Sequence, residues 1–296
     1  MRKSTNVRLL SLALRVLPTA LAARLALRVF MTTRRRRITS PNGRRFTVGD
    51  GVTGWWWGDG PPVYLVHGWN GHAGQLAGFV DPLVATGHRV VAFDAPGHGA
   101  TGGGLSSVAH IADALVAAVG LHGAPRGVVA HSLGAAATAL ALRRGLPEPD
   151  RLVFVGPATR PSRYLRGFLD LLDAPLAVRD AFYAAIRDRL GVAAGEVDIA
   201  PVPGVPLLVV HDADDREVPA ASACELVKAW PGARLVTTQG LGHRQVLGDP
   251  AVVTAASRFL SGITPQRCAC GHLAGQCDRC ALDRELFRPA SRLATA

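Results

Sequence analysis

Short apolar runs alternate with amphipathic stretches through the middle of the chain. The runs are valine-rich and end in glycine, proline or polar residues, which is typical of strands buried on both faces. Strands separated by helices predict an α/β fold, with a mostly parallel sheet covered by helices on both faces. The predicted strands are 53–57, 62–66, 89–94, 127–131, 152–155, 207–211 and 233–237, and the predicted helices are 75–86, 107–121, 133–144, 220–230 and 251–260.

Residues 158–203 interrupt this alternation. They contain helical patterns at 164–172 and 176–190, with no clear strand between them. Ligands of open α/β sheets bind at the carboxyl edge of the strands, so this insertion predicts a short helical lid above that edge. We therefore expect a covered and fairly apolar pocket.

The first 45 residues form a basic segment that differs from the rest of the chain. They hold Lys3 and eleven arginines without an acidic residue, whereas the other 251 residues carry 21 basic and 22 acidic side chains. The formal net charge of +11 therefore describes this segment, and the remainder is nearly neutral. A basic surface for nucleic acid across the whole protein is therefore not expected.

Helical spacing predicts two short helices in this segment, separated at Pro18. One face of the second helix is apolar and has arginines beside it. The apolar residues are Leu21, Leu25 and Val29, and the arginines are Arg24 and Arg28.

Three interpretations of the basic segment remain open. It packs on the body of the protein with its arginines in water, or residues 1–37 make a peripheral contact with an anionic membrane. Nucleic-acid binding is the third and is not expected, because no aromatic residues are interleaved with the arginines. The chain has no run of 18 uncharged apolar residues, which argues against a spanning helix.

Ser132 lies in a pattern typical of a nucleophilic serine. The predicted strand 127–131 runs directly into a helical pattern, and small residues, Ala130 and Gly134, stand two positions to either side. A serine in such a strained strand-to-helix turn projects its hydroxyl from the sheet, and larger neighbours would collide. The turn also directs the amide of Leu133 toward a developing oxyanion.

A base and an acid for this serine follow later in the chain, each after a predicted strand. His243 follows one strand, and Asp212, Asp214 and Asp215 follow another. A serine hydroxyl is activated by a histidine whose ring is oriented by a carboxylate. On the residues alone, any of the three aspartates could supply that carboxylate.

Five motifs in chain order resemble those of the α/β-hydrolase fold family, over about Pro62 to Leu260. They are His67-Gly68-Trp69, Asp94-Ala95-Pro96-Gly97-His98-Gly99, Ala130-His131-Ser132-Leu133-Gly134 (with Ala where Gly is usual), Asp215-Arg216-Glu217-Val218-Pro219 and Gly242-His243. The resemblance implies an eight-stranded, mostly parallel sheet and a hydrolase. It selects Asp215 as the acid.

The same resemblance implies roles for residues around the serine. The backbone amides of Trp69 and Leu133 are expected to form the oxyanion hole. Trp69 and His131 are expected to contact the substrate, and His67 and His98 are expected to be structural.

Together these residues predict a serine hydrolase, carboxylesterase-like, acting on an ester or related acyl bond. Ser132 attacks the acyl carbon to give an acyl-enzyme, His243 transfers the proton, and Asp215 holds the imidazole. The expected partner is a small-molecule substrate with a small or medium acyl group, and no cofactor is expected for catalysis. A thioesterase and a non-catalytic binding protein of the same fold are the alternatives.

Four of the five cysteines lie in a C-terminal tail, 266–296, after a hydrolase domain predicted at 46–265. Four thiolates so close in sequence suit a tetrahedral structural Zn²⁺, with incidental thiols or disulfides as alternatives. Clustered rather than spread cysteines favour a reducing compartment, so we expect a cytoplasmic protein, with or without membrane contact. The four residues are Cys268, Cys270, Cys277 and Cys280.

Overall fold

The computed structural model describes residues 5–34 and 41–262, and an eight-stranded sheet lies at its centre. The strands are β1 (Arg44–Val48), β2 (Val52–Trp57), β3 (Pro62–Val66), β4 (Arg89–Asp94), β5 (Gly127–His131), β6 (Arg151–Val155), β7 (Leu207–Asp212) and β8 (Arg234–Thr238). Their order across the sheet is β1-β2-β4-β3-β5-β6-β7-β8. Only β2 is antiparallel to its neighbours, and β3 to β8 are parallel, as the sequence predicts for most of the sheet.

Helices cover both faces of this sheet. Within the described ranges the α-helices are α1 (Thr5–Val16), α2 (Thr19–Met31), α3 (Val80–Ala85), α4 (Val108–His122), α5 (Leu133–Arg143), α6 (Pro161–Leu171), α7 (Leu176–Leu190), α8 (Ala221–Ala229), α9 (Gly242–Gln245) and α10 (Pro250–Leu260). A 3₁₀ segment, Ala73–Phe79, precedes α3. None of the helices in these ranges has the length and apolar content needed to cross a bilayer.

Alternate strand residues enter two separate cores, which is why the strands read as continuous apolar runs. Tyr64 and Val66 pack in the core that contains α4 and α5, whereas Val63 and Leu65 pack in the core that contains α3 and α10. All four side chains are fully buried. Successive side chains of a strand point to opposite faces, so burial on both faces removes the polar alternation.

The first strand begins inside the predicted basic segment. Arg44 and Arg45, the last two arginines of that segment, belong to β1 at the edge of the sheet. The Arg44 guanidinium lies 4.6 Å from the centre of the Trp56 ring, a cation–π contact across the β1–β2 pair. An edge strand with exposed arginines lacks the apolar run by which the other strands are predicted.

The helix α2 packs against α7, with a different face from the one that the sequence singles out. Leu21 is 51% exposed and Val29 is 40% exposed, so the predicted apolar face points to solvent. Phe30 makes an edge contact with Phe168 of α6, with ring centroids 5.2 Å apart. The buried residues of α2 are Ala22, Ala23, Ala26, Leu27 and Met31.

Candidate active site

Ser132 lies in a strained turn between β5 and α5, at the carboxyl edge of the sheet. Its backbone has φ 51° and ψ −119°, which side-chain-bearing residues rarely adopt. A Cβ on Gly134 would stand 2.6 Å from the carbonyl oxygen of Val66, and a Cβ on Gly68 would stand 2.8 Å from the Ser132 Cβ. Glycine is therefore required at both positions, because β3 and the loop after it approach the turn closely.

Asp215 and His243 are brought together from the loops that follow β7 and β8. The His243 Nδ1 atom lies 2.7 Å from Asp215 Oδ2. Asp215 Oδ1 accepts the N–H groups of Glu217 and Val218 at 2.8 and 2.9 Å. Because the buried carboxylate accepts from Nδ1–H, the Nε2 atom of His243 remains available as a proton acceptor.

Ser132 and His243 line the same cavity, so the predicted nucleophile and the predicted base share one chamber. Among the hydrogen bonds of the described residues, none joins the Ser132 hydroxyl to the imidazole. Catalytic hydrogen bonds are often long without substrate and tighten when it binds. The Asp215–His243 contact is therefore present without a substrate, and the missing serine contact does not argue against the predicted triad.

Asp212, the last residue of β7, and Asp214 and Asp215 after it have three different partners, which separates candidates that the sequence leaves equal. Asp215 meets His243, and Asp214 Oδ2 accepts the Gly240 N–H at 3.0 Å. Asp212 braces the loop that leads from β8 to His243 in α9. Its carboxylate accepts from the Thr238 hydroxyl and from the N–H groups of Asp214, Leu241 and Gly242.

Asp212 remains a carboxylate in this buried position because of those donors. Desolvation alone would raise the pKa of the carboxyl, but the hydrogen bonds outweigh it and hold the pKa below its usual value. A charged acceptor with four donors fixes the loop between β8 and α9 more firmly than neutral contacts would. The resulting loop geometry sets where the His243 ring lies.

His131 lies behind His243 and is not among the residues that line the cavity. Its Nε2 donates to the carbonyl oxygen of His243 at 2.9 Å, and the two ring centroids are 4.6 Å apart. Burial first, then the neighbouring His243, lowers the pKa of His131 to about 3, so the ring is neutral at neutral pH. In this arrangement His131 supports the backbone of His243, and its expected contact with the substrate stays a prediction.

Trp69 is placed by a loop that two neutral histidines fix in position. In both His67 and His98, Nε2 accepts a backbone N–H and Nδ1 donates to a carbonyl oxygen, so each ring has one defined tautomer. The Nε2 atoms accept from Ala95 at 3.0 Å and Asn70 at 3.1 Å, and the Nδ1 atoms donate to Gly68 at 2.7 Å and Pro96 at 2.9 Å. Burial is the largest cause that lowers both pKa values to about 4.

The backbone amides of Trp69 and Leu133 are the predicted oxyanion donors. Both residues line the cavity together with Ser132. Within the part of the chain that the structure describes, neither N–H has a hydrogen-bond acceptor. Two unpaired donors beside a serine hydroxyl suit the stabilisation of a negatively charged oxygen.

The cavity above Ser132 has a volume of about 310 Å³ and a largely apolar lining. The one carboxylate among its described lining residues, Glu217, lies 3.3 Å from the Arg244 guanidinium. The lid helices supply Tyr164, Leu165, Ile186 and Leu190, and α2 supplies Leu27, Phe30 and Met31. The basic N-terminal segment thus contributes a wall of the cavity.

Sequence reasoning does not single out the α2 residues or the brace at Asp212. No local signal marks Leu27 as a lining residue, since its position follows from how α2 packs against α7. The sequence does offer a signal at Asp212, because an aspartate directly after a predicted buried strand needs hydrogen-bond donors of its own. Gly156 is also unmarked, yet a Cβ there would stand 3.3 Å from His243 Nδ1.

The predicted zinc ligands lie outside the described residues. Cys268, Cys270, Cys277 and Cys280 all fall after residue 262, so the structure does not test the metal site. Over residues 5–34 and 41–262, no group of three or more histidine, cysteine or acidic side chains is arranged to hold a metal ion.

Two family models match adjacent parts of the chain. The model described as serine aminopeptidase, S33, matches residues 61–187, and the model described as TAP-like protein matches residues 192–270. Together they include Ser132, Asp215 and His243, and also Trp69 and Leu133. Residues 1–60, with α1 and α2, lie outside both models.

Known proteins resemble the chain over the same region. It is 27% identical to the pimeloyl-[acyl-carrier protein] methyl ester esterase of Xanthomonas campestris pv. campestris over 248 residues, which cover 70% of this chain and 97% of that protein. Its fold resembles a thermophilic esterase from Thermogutta terrifontis (19% identity, TM-score 0.55, 74% of this chain and 98% of that one). It also resembles mouse alpha/beta hydrolase domain-containing protein 10 (16% identity, TM-score 0.56, 75% and 98%).

Proposed function

The chain belongs to the α/β-hydrolase fold family, and on this basis we propose that it is a serine hydrolase that cleaves carboxylic esters with an apolar acyl group. The observation that carries the proposal is the 2.7 Å contact between Asp215 Oδ2 and His243 Nδ1, in the chamber that Ser132 also lines. A carboxylate, an imidazole and a serine arranged in this way form an acyl-transfer centre.

In the first half of the reaction, Ser132 Oγ attacks the ester carbonyl carbon while His243 Nε2 takes the hydroxyl proton. Asp215 does not take the proton, because its role is to hold the imidazole and stabilise the imidazolium. The carbonyl oxygen becomes an oxyanion that accepts the N–H groups of Trp69 and Leu133. His243 then gives the proton to the alcohol oxygen, and the C–O bond breaks to leave an acyl-enzyme.

In the second half, water replaces the alcohol. His243 takes a proton from the water, whose oxygen attacks the Ser132 ester, and a second oxyanion forms at the same two amides. Collapse of this intermediate returns the proton to Ser132 Oγ and releases a carboxylic acid. A carboxylate leaving an apolar chamber of about 310 Å³ gains hydration outside it, which favours release.

The lining of the cavity supports an ester with a small or medium acyl chain. The chamber has room for such a chain against Trp69, Leu165 and Ile186. A peptide with a free amino end would need an unpaired carboxylate, whereas Glu217 is paired with Arg244. The Xanthomonas relative is named for a methyl ester with a pimeloyl acyl group, which agrees in bond type.

The proposal is tested by hydrolysis of p-nitrophenyl esters of increasing acyl length. We expect activity that peaks at short to medium chains and disappears in Ser132→Ala. The same chains as thioesters separate the thioesterase alternative, which requires a higher kcat/KM for the thioester at equal acyl length. No hydrolysis of either series, with unchanged ligand binding in Ser132→Ala, would instead favour the non-catalytic binding protein.

A further inference from the structure

The helices α1 and α2 expose an unusual amount of apolar surface. In α1, Leu9 is 61%, Leu12 is 58% and Val16 is 71% exposed, and Leu21 and Val29 of α2 are also exposed. These five are half of the strongly exposed large hydrophobic side chains in the described residues. Single exposed leucines are ordinary on a protein surface, but a concentration on two adjacent helices indicates a contact surface.

The exposed side chains follow the helical repeat and have arginines on their border. Leu9, Leu12 and Val16 are spaced three and four residues apart, which places them on one face of α1. The same helix carries Arg8 and Arg15 next to that face. The pattern recurs in α2, where Leu21, Leu25 and Val29 follow a four-residue spacing with Arg24 and Arg28 beside them.

The arginines of these helices have no acidic partner within the described residues. The ion pairs there involve other arginines, such as Arg179 with Asp170, and none involves Arg8, Arg15, Arg24 or Arg28. The surrounding sequence offers none either, since residues 1–45 contain no acidic side chain. Their charge is therefore available to an external anion.

A groove between α2 and α7 gathers part of this charge beside the apolar side chains. It has a volume of about 450 Å³, and Arg24, Arg28 and Arg189 are among its lining residues, with Asp188 as the acidic one. Leu27 and Met31 line this groove and also the cavity above Ser132. One helix thus separates a cationic outer groove from the proposed catalytic chamber.

We propose that α1 and α2 form a docking surface for a bilayer of anionic phospholipid. The exposed leucines and valines enter the boundary between headgroups and acyl chains, and the arginines meet lipid phosphates. A nucleic acid or another polyanion without an apolar layer would pair with the arginines but leave the exposed leucines in water. A second copy of the chain would bring two cationic surfaces together and be repelled.

The test uses the full-length protein with large unilamellar vesicles, sedimented at low and at high salt. We expect binding to phosphatidylcholine vesicles that contain phosphatidylglycerol, strong loss at high salt, and little binding to pure phosphatidylcholine. Ser132→Ala should bind as the wild type does, which separates docking from catalysis. Absence of binding to phosphatidylglycerol vesicles at low salt, or equal binding to both vesicle types, would overturn the proposal.

Two sets of variants assign the binding to the two helices. We expect the combined change Arg8→Gln, Arg15→Gln, Arg24→Gln and Arg28→Gln to lower the partition coefficient about a thousandfold. We expect Leu9→Ser, Leu12→Ser and Val16→Ser together to lower it more than tenfold. Hydrolysis of a water-soluble ester should persist in both sets, which shows that they fold.

Matched controls lie on the body of the protein. Arg163→Gln with Arg166→Gln removes exposed charge from α6, and Val116→Ser with Leu121→Ser removes exposed apolar surface from α4. These pairs should bind vesicles as the wild type does. Equal losses in the control and helix variants, or retention on nucleic acid without vesicle binding, would contradict a membrane surface on α1 and α2.

Discussion

The carboxyl edge of the sheet and the pair of N-terminal helices differ in how they treat charged and polar groups. At the edge, Asp212 and Asp215 are buried and accept several defined hydrogen bonds each. Along α1 and α2, Arg8 and Arg24 have no acidic partner in the described residues, and leucines point to water. The edge pairs its buried carboxylates within the described residues, whereas the helices expose unpaired arginines and leucines there, and the proposed membrane contact rests on that difference.

The largest expected effect is at Ser132. We expect Ser132→Ala to lower kcat for an activated ester about a million-fold, because attack and proton transfer act as a unit. Steady-state hydrolysis of a p-nitrophenyl ester measures this. Ser107 lines the same cavity but only caps α4, so Ser107→Ala is the control and should keep most of the activity. Similar losses in both would mean that the cavity shape, not the nucleophile, was disturbed.

The next effect distinguishes the three aspartates. We expect Asp215→Asn to lower kcat about 10⁴-fold with little loss of stability, because the imidazole loses its orienting charge. Asp212→Asn should instead destabilise the fold by about 1–3 kcal/mol, since its amide cannot accept from all four donors. Kinetics and urea unfolding of both variants, with Asp214→Asn as the control, are the measurements. A larger kinetic loss in Asp214→Asn would reassign the acid.

A third effect lies where the two regions meet. Leu27 is buried and lines both the catalytic cavity and the outer groove, so Leu27→Ala should lower the free energy of unfolding by about 2–5 kcal/mol. The wider chamber should also shift the preferred ester toward longer acyl chains. Leu21→Ala, on the exposed face of the same helix, should change stability by no more than about 0.5 kcal/mol. Urea unfolding and an acyl-length series report the two outcomes.

The smallest effect concerns pH. The pKa values of His67 and His98 are lowered to about 4 by burial, so the unfolded chain binds more protons than the folded one between pH 6.5 and pH 4. The stability that depends on these groups is fully present above pH 6.5 and is lost as the pH decreases. At pH 5 the loss is about 2 kcal/mol per histidine. The free energy of unfolding, measured with urea at a series of pH values, should fall less steeply with decreasing pH in His98→Gln than in the wild type.

The two regions should respond to pH differently. Arginine does not titrate in this range, so vesicle binding by α1 and α2 should stay constant between pH 8 and about pH 6.5, where the fold keeps its full stability. A loss of vesicle binding in that interval would show that titrating groups, not the arginines, carry the contact.

Much of the sheet follows from the sequence, because its strands are short apolar runs with clear ends. The strands β3, β4 and β5 begin and end at the predicted residues. The edge strand β1 does not follow from an apolar run, since Arg44, Arg45 and Thr47 break the pattern. An apolar run predicts a strand that is buried on both faces, but an exposed edge strand has no such run and is missed.

The sequence likewise identifies some residues of the candidate site and leaves others unmarked. Ser132, Asp215 and His243 stand in motifs whose spacing has a local steric or chemical cause, so the resemblance could name them. The support of His243 by His131, and the wall formed by Leu27 and Phe30, depend on contacts between residues far apart in the chain. Such contacts leave no periodic signal, and the exposed face of α2 could not be told from a buried one.

Covalent labelling with a fluorophosphonate is the most direct measurement, because it reports the activated serine without knowledge of the substrate. Intact-mass and peptide analysis should show one adduct per chain at Ser132, with labelling lost in Ser132→Ala and strongly slowed in His243→Ala. Labelling unaffected by Ser132→Ala, or a wild-type protein that remains unlabelled, would contradict a serine hydrolase built on Ser132, His243 and Asp215.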